Sequence, residues 1–321
     1  MKLTEHQKDI LLAGAIGDAV GYRIEFDNIN KIKNTYGKNG LTFDHIKDDE
    51  ALVVSDDTQM TLFALEALHY GPESKNYQTA FQAWYLTQEN ELYGENHIND
   101  SPLFSFKSLH ALRAPGNTCL SSLSSGVPVS LSKGCGGIMR VVPLSFLPTL
   151  EEAINHGAKQ ASLTHGHPSG YWSAGFFAGL IHIILNNPTL TYEEAIDKCI
   201  KTMEFFDSVD ETLDAVEKAR TVYRTSSDSI LMNVHKLGGG WTGEEALAIA
   251  IYCVFASTTF EEAVEFAINH DGDSDSTGTL TAQLWVALYG LPEKYKSWAD
   301  RLDVADAFKF VLDEKNYLTG E

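Results

Sequence analysis

Apolar positions in this chain recur at helical spacing far more often than in alternation. Met60, Phe63, Ala64, Ala67 and Leu68 fall at i, i+3, i+4, i+7 and i+8, one face of an amphipathic helix predicted to start near Gln59. Residues 246–255 and 280–289 are apolar nearly all round, the pattern of helices buried inside a bundle. Helix starts are signalled by Thr4-x-x-Gln7, Thr149-x-x-Glu152, Thr191-x-x-Glu194, Thr242-x-x-Glu245 and Thr259-x-x-Glu262. In such a box the Thr hydroxyl and the side chain three residues on satisfy amides that the first turn leaves unpaired. Strand signals reduce to short β-branched pieces such as Val127-Pro128-Val129. No Pro-rich or Gly/Ser-rich linker divides the chain, and the helix starts are too unevenly spaced for a repeat. The pattern predicts one all-α domain over residues 1–321. The 71–130 stretch, rich in Asn, Ser, Gly and Tyr, is expected to be mostly loop and to lie over a site.

Charge narrows the partners. Acidic residues outnumber basic ones 44 to 24, a formal net charge of -20. A general nucleic-acid binder or an anionic-membrane binder is disfavoured, because both partners would be repelled. Four cysteines with no CxxC pair give no zinc-ribbon pattern and suit a reducing, cytoplasmic location. The N-terminus is a poor signal peptide, and the most apolar run, residues 171–185, is too short to span a membrane.

Two acidic clusters could carry chemistry. Ser55-Asp56-Asp57-Thr58 and Asp273-Ser274-Asp275-Ser276-Thr277 each precede a predicted helix. Taken singly, each reads as an N-cap. A cap needs one side-chain oxygen, whereas each cluster offers two carboxylates plus hydroxyls. Gathered carboxylates repel one another unless a cation compensates, and an all-oxygen set suits a hard ion such as Mg²⁺ or Mn²⁺. If the two helix starts converge, they can hold two ions and activate a water. Gly134-Cys135-Gly136-Gly137-Ile138-Met139-Arg140 reads either as a turn that can approach a phosphate or as a tight helix–loop junction. Thr164-His165-Gly166-His167 has no carboxylate nearby in sequence, so a structural or ligand-contacting histidine is favoured over a metal pair. Gly238-Gly239-Gly240-Trp241 could set an aromatic ring over a base or sugar, or be a flexible loop with a core Trp.

In chain order, GAIGDAVGYRIEF (14–26), SDDTQM (55–60), GCGGIMR (134–140), THGHPSGY (164–171), GGGWTGEEALAIA (238–250) and GDSDSTG (272–278) resemble the ADP-ribosylglycohydrolase family. The series covers nearly the whole chain. SDDT with GDSDST, plus RAPG at 113–116, is most similar to its ADP-ribosylarginine hydrolase branch. The resemblance implies an all-α fold with two divalent cations, Mg²⁺ or Mn²⁺, at the base of a cleft. Ser55, Asp56 and Asp57 would be ligands from one helix start; Asp273, Asp275 and Ser276 would be ligands from the other. Asp56, Asp57 and Asp275 would share the catalytic work with Glu25, which matches an acidic residue beside the metals. Gly134, Cys135, Gly136, His165 and Tyr171 match segments around the phosphates and ribose of ADP-ribose, and Gly240 with Trp241 match the adenosine end. Asp271 stands where relatives commonly have Gly, and is expected to add a carboxylate beside the ligands.

The implied function is removal of ADP-ribose from arginine on a modified protein, by a cytoplasmic monomer. Two other readings keep the fold: hydrolysis of a different ADP-ribosyl linkage (serine, O-acetyl-ADP-ribose or nucleic acid), and an ADP-ribose binder that has lost catalysis. The full set of ligand residue types argues against the last.

Overall fold

The computed structural model of the chain describes residues 1–317. Its helices, in chain order, are α1 (Glu5–Gly21), α2 (Ile29–Tyr36), α3 (Asp56–Tyr70), α4 (Ser74–Tyr93), α5 (Asn117–Ser125), α6 (Leu150–Ser162) and α7 (Pro168–Asn186). They continue with α8 (Tyr192–Met203), α9 (Asp210–Thr225), α10 (Ile230–Leu237), α11 (Gly243–Ala256), α12 (Phe260–Ile268), α13 (Ser274–Tyr289) and α14 (Ala305–Leu312). Among the described residues, extended pairing is limited to isolated bridges such as Val129 with His165 and Gly134 with Thr242. The all-α expectation holds, and one continuous apolar core runs through the molecule.

Capping places several of these starts. Thr4, Thr149 and Thr191 close the reciprocal box at α1, α6 and α8. At α12 only half of it forms: Thr259 accepts from the Glu262 amide, while the Glu262 carboxylate turns to Thr258. At α11 the box is not made. The Glu245 carboxylate instead accepts from the Gly239 amide at 3.1 Å, so it shapes the glycine loop before the helix.

Two expectations are corrected. Helix α3 starts at Asp56 and is buried on every side from Asp56 to Leu68, so it is a central helix and not an amphipathic one. The 71–130 stretch contains the twenty-residue α4. Tyr77, Ala80, Phe81, Trp84, Thr87 and Gln88 are buried there at spacings of three and four, a helical stripe half hidden by its polar members. The stretch also contains α5, and the rest, chiefly residues 94–116 and 126–130, is built of loops and short 3-10 turns.

The α1–α13 pair sets the geometry of the centre. A Cβ on Gly17 would lie 2.3 Å from the Gly278 carbonyl oxygen, and one on Gly21 would lie 2.2 Å from that of Ser274. The two backbones therefore touch, and no larger side chain fits between them. This contact delivers the start of α13 to the end of α1, directly beside the start of α3.

Candidate metal centre and cavity

Asp18 joins the two acidic helix starts. It is wholly buried in α1, and its carboxylate accepts from the amides of Ser55 (2.9 Å) and Thr58 (3.0 Å) and from the Thr58 hydroxyl. One buried carboxylate thus caps α3 from the side and holds the Ser55–Asp57 turn against α1. Ser55 is the N-cap of α3, accepting from the Asp57 amide at 3.1 Å. Asp273 is the N-cap of α13, accepting from the Ser276 amide at 3.2 Å. Both clusters occupy first turns, so the helix dipoles favour their charge while their crowding opposes it.

Converged, the clusters form the floor of a cavity of about 190 Å³. Glu25, Asp56, Asp57, Asp273, Asp275 and Ser276 line it, and no Lys or Arg does. Burial, reinforced by the negative charge of neighbours, pushes the Glu25 carboxyl up to about 10. The same causes hold Asp56, Asp57 and Asp273 well above the usual carboxylate range. Asp275 is raised by burial, and Asp18 is pushed up to about 7 by burial and by Asp275. Glu25 Oε2 and Asp57 Oδ2 are buried and make no hydrogen bond. Orphaned carboxylate oxygens, an all-oxygen donor set and mutual repulsion together fit one or more hard divalent cations. The donors are spread along the floor. A different trio, Glu89, Glu95 and His97, does gather within 4.8 Å, but it lies in the part-exposed segment at the end of α4, away from this floor.

The walls come from loops. The Arg113 carbonyl accepts from the Asp56 amide at 2.9 Å, and the Gly116 amide donates to Asp56 Oδ2 at 3.3 Å. Between them Ala114 has a φ of 54°, a left-handed conformation that a non-glycine residue seldom adopts and that is held here by the grip on Asp56. The Cys135 thiol donates to Asp273 Oδ2 at 2.7 Å. The Cys135 amide donates to the Trp241 carbonyl at 3.1 Å, tying the 134–137 turn to the glycine loop. Trp241 is 47% exposed and lines the rim. Gly240 holds a φ of 78° that turns the chain into this position. His165 is buried with its ring edge on the glycine turn: a Cβ on Gly136 would meet its Cε1 at 3.0 Å. Glycine at 134 and 136 is therefore what leaves the ring its place.

Most of the expected residues meet here. Ser55, whose hydroxyl caps α3, and Gly240 are not themselves among the lining residues, and two others depart further. Tyr171 is outside the cavity lining: α7 starts at Pro168, and the turn it makes sends this ring to Trp172, 5.4 Å between centroids. Asp271 adds nothing to the floor. Its carboxylate accepts from the Ile29 amide at 2.5 Å and faces His235 Nε2 at 3.3 Å, so it clamps the loop that follows Glu25 and Phe26. Sequence reasoning missed Asp18 and Arg140. Each is a charged residue inside an otherwise apolar run, GAIGDAVG and GGIMRVVPL, which was the available signal.

An all-α scaffold with an acidic cavity at two converging helix starts, walled by glycine turns, defines a class. The family pattern of ADP-ribosylglycohydrolase matches residues 2–317, and the chain belongs to that family of hydrolases. It is 25% identical over 301 residues to an uncharacterized protein of Archaeoglobus fulgidus, covering 91% of each chain. It is 23% identical over 311 residues to the ADP-ribosylarginine hydrolase Tri1 of Pseudomonas putida, covering 93% of this chain and 74% of that one. The ADP-ribosylhydrolase ARH3 of Bos taurus is 27% identical over 193 residues, about half of each chain. A solved ADP-ribosylglycohydrolase-related protein complex shares the fold, with a TM-score of 0.62 at 18% identity, covering 99% of this chain and 100% of that one. No described helix is long and apolar enough to cross a membrane.

Proposed function

We propose that this chain is a divalent-cation-dependent hydrolase that releases ADP-ribose from arginine side chains of modified proteins. The observation that carries the reading is the cavity itself: five carboxylates converge on it, and no cationic side chain lines it. Such a site favours positive charge twice, once at the sugar carbon in the transition state and once on a guanidinium leaving group. The relatives named ADP-ribosylarginine hydrolase support the same linkage.

Ser55, Asp56 and Asp57 from α3, with Asp273, Asp275 and Ser276 from α13, would hold two cations, Mg²⁺ or Mn²⁺. When bound, such ions fix ribose hydroxyls and acidify a water. The chain's own groups do the rest. Asp56, Asp57 and Asp275 stabilise positive charge as the bond from ribose C1 to the guanidino nitrogen lengthens. Glu25, which lines the same cavity, can hold or release a proton beside that bond. The 134–136 turn and His165 face the phosphates and ribose, and Trp241 covers the adenosine end. The whole chain forms this one domain and works as a monomer, and its four free cysteines support a reducing, cytoplasmic location.

The relatives named only ADP-ribosylhydrolase specify no linkage, which leaves room for a second reading, a different linkage such as serine, at the same site. The deciding experiment compares arginine-linked and serine-linked ADP-ribosyl substrates as kcat/KM values, with and without EDTA. Specificity is a difference between transition states, so rate at one concentration does not suffice. A ratio strongly favouring arginine is expected. Equal rates, or a preference for serine, would install the second reading.

A further inference from the structure

We propose that Arg140 and Thr164 hold His165 as a neutral imidazole protonated on Nε2, so that this wall of the cavity offers a ligand one fixed N–H donor and no cation. Arg140 is wholly buried behind the wall. Its guanidinium lies over the Phe81 ring at 4.3 Å and donates to Met60 Sδ, to Cys119 Sγ and, at 2.6 Å, to Thr164 Oγ1. A guanidinium only donates, so the Thr164 oxygen accepts from it and keeps its own hydrogen to give.

Three acceptors are within reach of that hydrogen: His165 Nδ1 at 2.8 Å, the Ala161 carbonyl at 3.4 Å and the Cys119 sulfur, a weak acceptor that already takes a hydrogen from Arg140. The Ala161 carbonyl already accepts from the amides of Thr164 (3.1 Å) and His165 (3.0 Å), which uses both its lone pairs. The hydroxyl therefore donates to Nδ1. An Nδ1 that accepts carries no proton, and the ring's one proton sits on Nε2. That nitrogen lies on the ring edge facing the glycine turn, where a Cβ on Gly134 would be 3.1 Å away.

Around the ring, the ionisable groups are Arg140 behind Thr164, Cys119 against Gly136, and the acidic floor across the cavity. His167, two residues on, turns away to Ser169 and Glu211. Burial first, then the Arg140 charge, pull the His165 imidazole down to about 3, in keeping with a ring that stays neutral. The matching ligand group is an acceptor oxygen, and the bond it makes does not depend on protonating the histidine. Only the identity of that ligand, ADP-ribose, rests on the function proposed above.

The test is a two-bond ¹H–¹⁵N correlation on histidine-labelled protein without ligand, with the His165 signals identified by their loss in His165→Gln. The Nε2–H pattern is expected from about pH 5 to about pH 8, across the range where an ordinary histidine titrates. Thr164→Val should give mixed tautomers and weaken ADP-ribose binding about tenfold, the effect of one misplaced hydrogen bond. Thr164→Ser should restore both. An Nδ1–H or mixed pattern in the unaltered protein overturns the proposal, even if Thr164→Val fails to fold. So does an unchanged pattern in a folded Thr164→Val. Loss of the tautomer with unchanged ADP-ribose affinity supports the relay and overturns the ADP-ribose reading of this wall.

Discussion

Cation binding to this cavity should be coupled to pH in a direction the structure dictates. In the unfolded chain a glutamate titrates near its ordinary value of about 4.3. In the folded cavity Glu25 is pushed up to about 10, and Asp56, Asp57 and Asp273 are raised as well. The native state without cations therefore binds more protons than the unfolded state at neutral pH. Its stability is undiminished by these groups below about pH 4, and falls as pH rises towards the folded values. Each retained proton costs about 1.4 kcal/mol per pH unit. Glu25 alone accounts for roughly 3 kcal/mol between about pH 6 and about pH 8. A divalent cation displaces that proton, so at a fixed excess of cation its stabilisation should grow by the same amount over that interval. At roughly 1.5 °C per kcal/mol for a chain of 321 residues, the cation-induced rise in Tm should be about 4 °C larger at the higher pH. Thermal unfolding of stripped protein in EDTA, against Mg²⁺ or Mn²⁺, at three pH values measures this directly. A cation-induced shift that is the same at every pH would refute the reasoning: it would mean that these carboxylates are ionised without help and do not crowd one another.

Asp57→Asn and Asp275→Asn should each lower turnover by orders of magnitude, yet Asp57→Asn should raise Tm in EDTA at neutral pH, because it removes a carboxyl that the cation-free fold must keep protonated and whose Oδ2 has no hydrogen-bond partner. Near-normal turnover in either variant would remove that residue from the set that holds the cations. EDTA should abolish turnover, and Mg²⁺ or Mn²⁺ should restore it; full activity in demonstrably metal-free protein would remove the cation-dependent reading. Trp241→Ala should raise the Kd for ADP-ribose while leaving kcat nearly unchanged, since a contact made equally in ground and transition states contributes only to binding; an unchanged Kd would detach Trp241 from the ligand. Gly136→Ala would set a Cβ 2.9 Å from Cys119 Sγ and 3.0 Å from His165 Cε1, so about 1–3 kcal/mol of stability and much of the ADP-ribose affinity should be lost, as calorimetry and titration would register.

Local chemistry was legible in the sequence, because it depends on neighbours along the chain. Helical periodicity gave the fold class, and three capping boxes marked true starts at Thr4, Thr149 and Thr191. The two Ser/Asp clusters announced themselves as more acidic than any cap requires. Where the local rule failed, a distant partner had outbid it: Glu245 left its box for Gly239, and Asp271 left the acidic floor for Ile29 and His235. Helix α4 was obscured because its buried stripe includes Thr87 and Gln88, which read as polar until Gln59 and Trp84 are seen beside them. What only the tertiary structure decided is convergence. Backbone contact at Gly17, Gly21 and Gly278 brings α13 onto α1, and the Asp18 carboxylate, 37 residues from Ser55 in sequence, pulls the start of α3 to the same point. Burial of that meeting place then raises the carboxyls, which no single segment could do, because the penalty arises from charges that are neighbours in space and strangers along the chain.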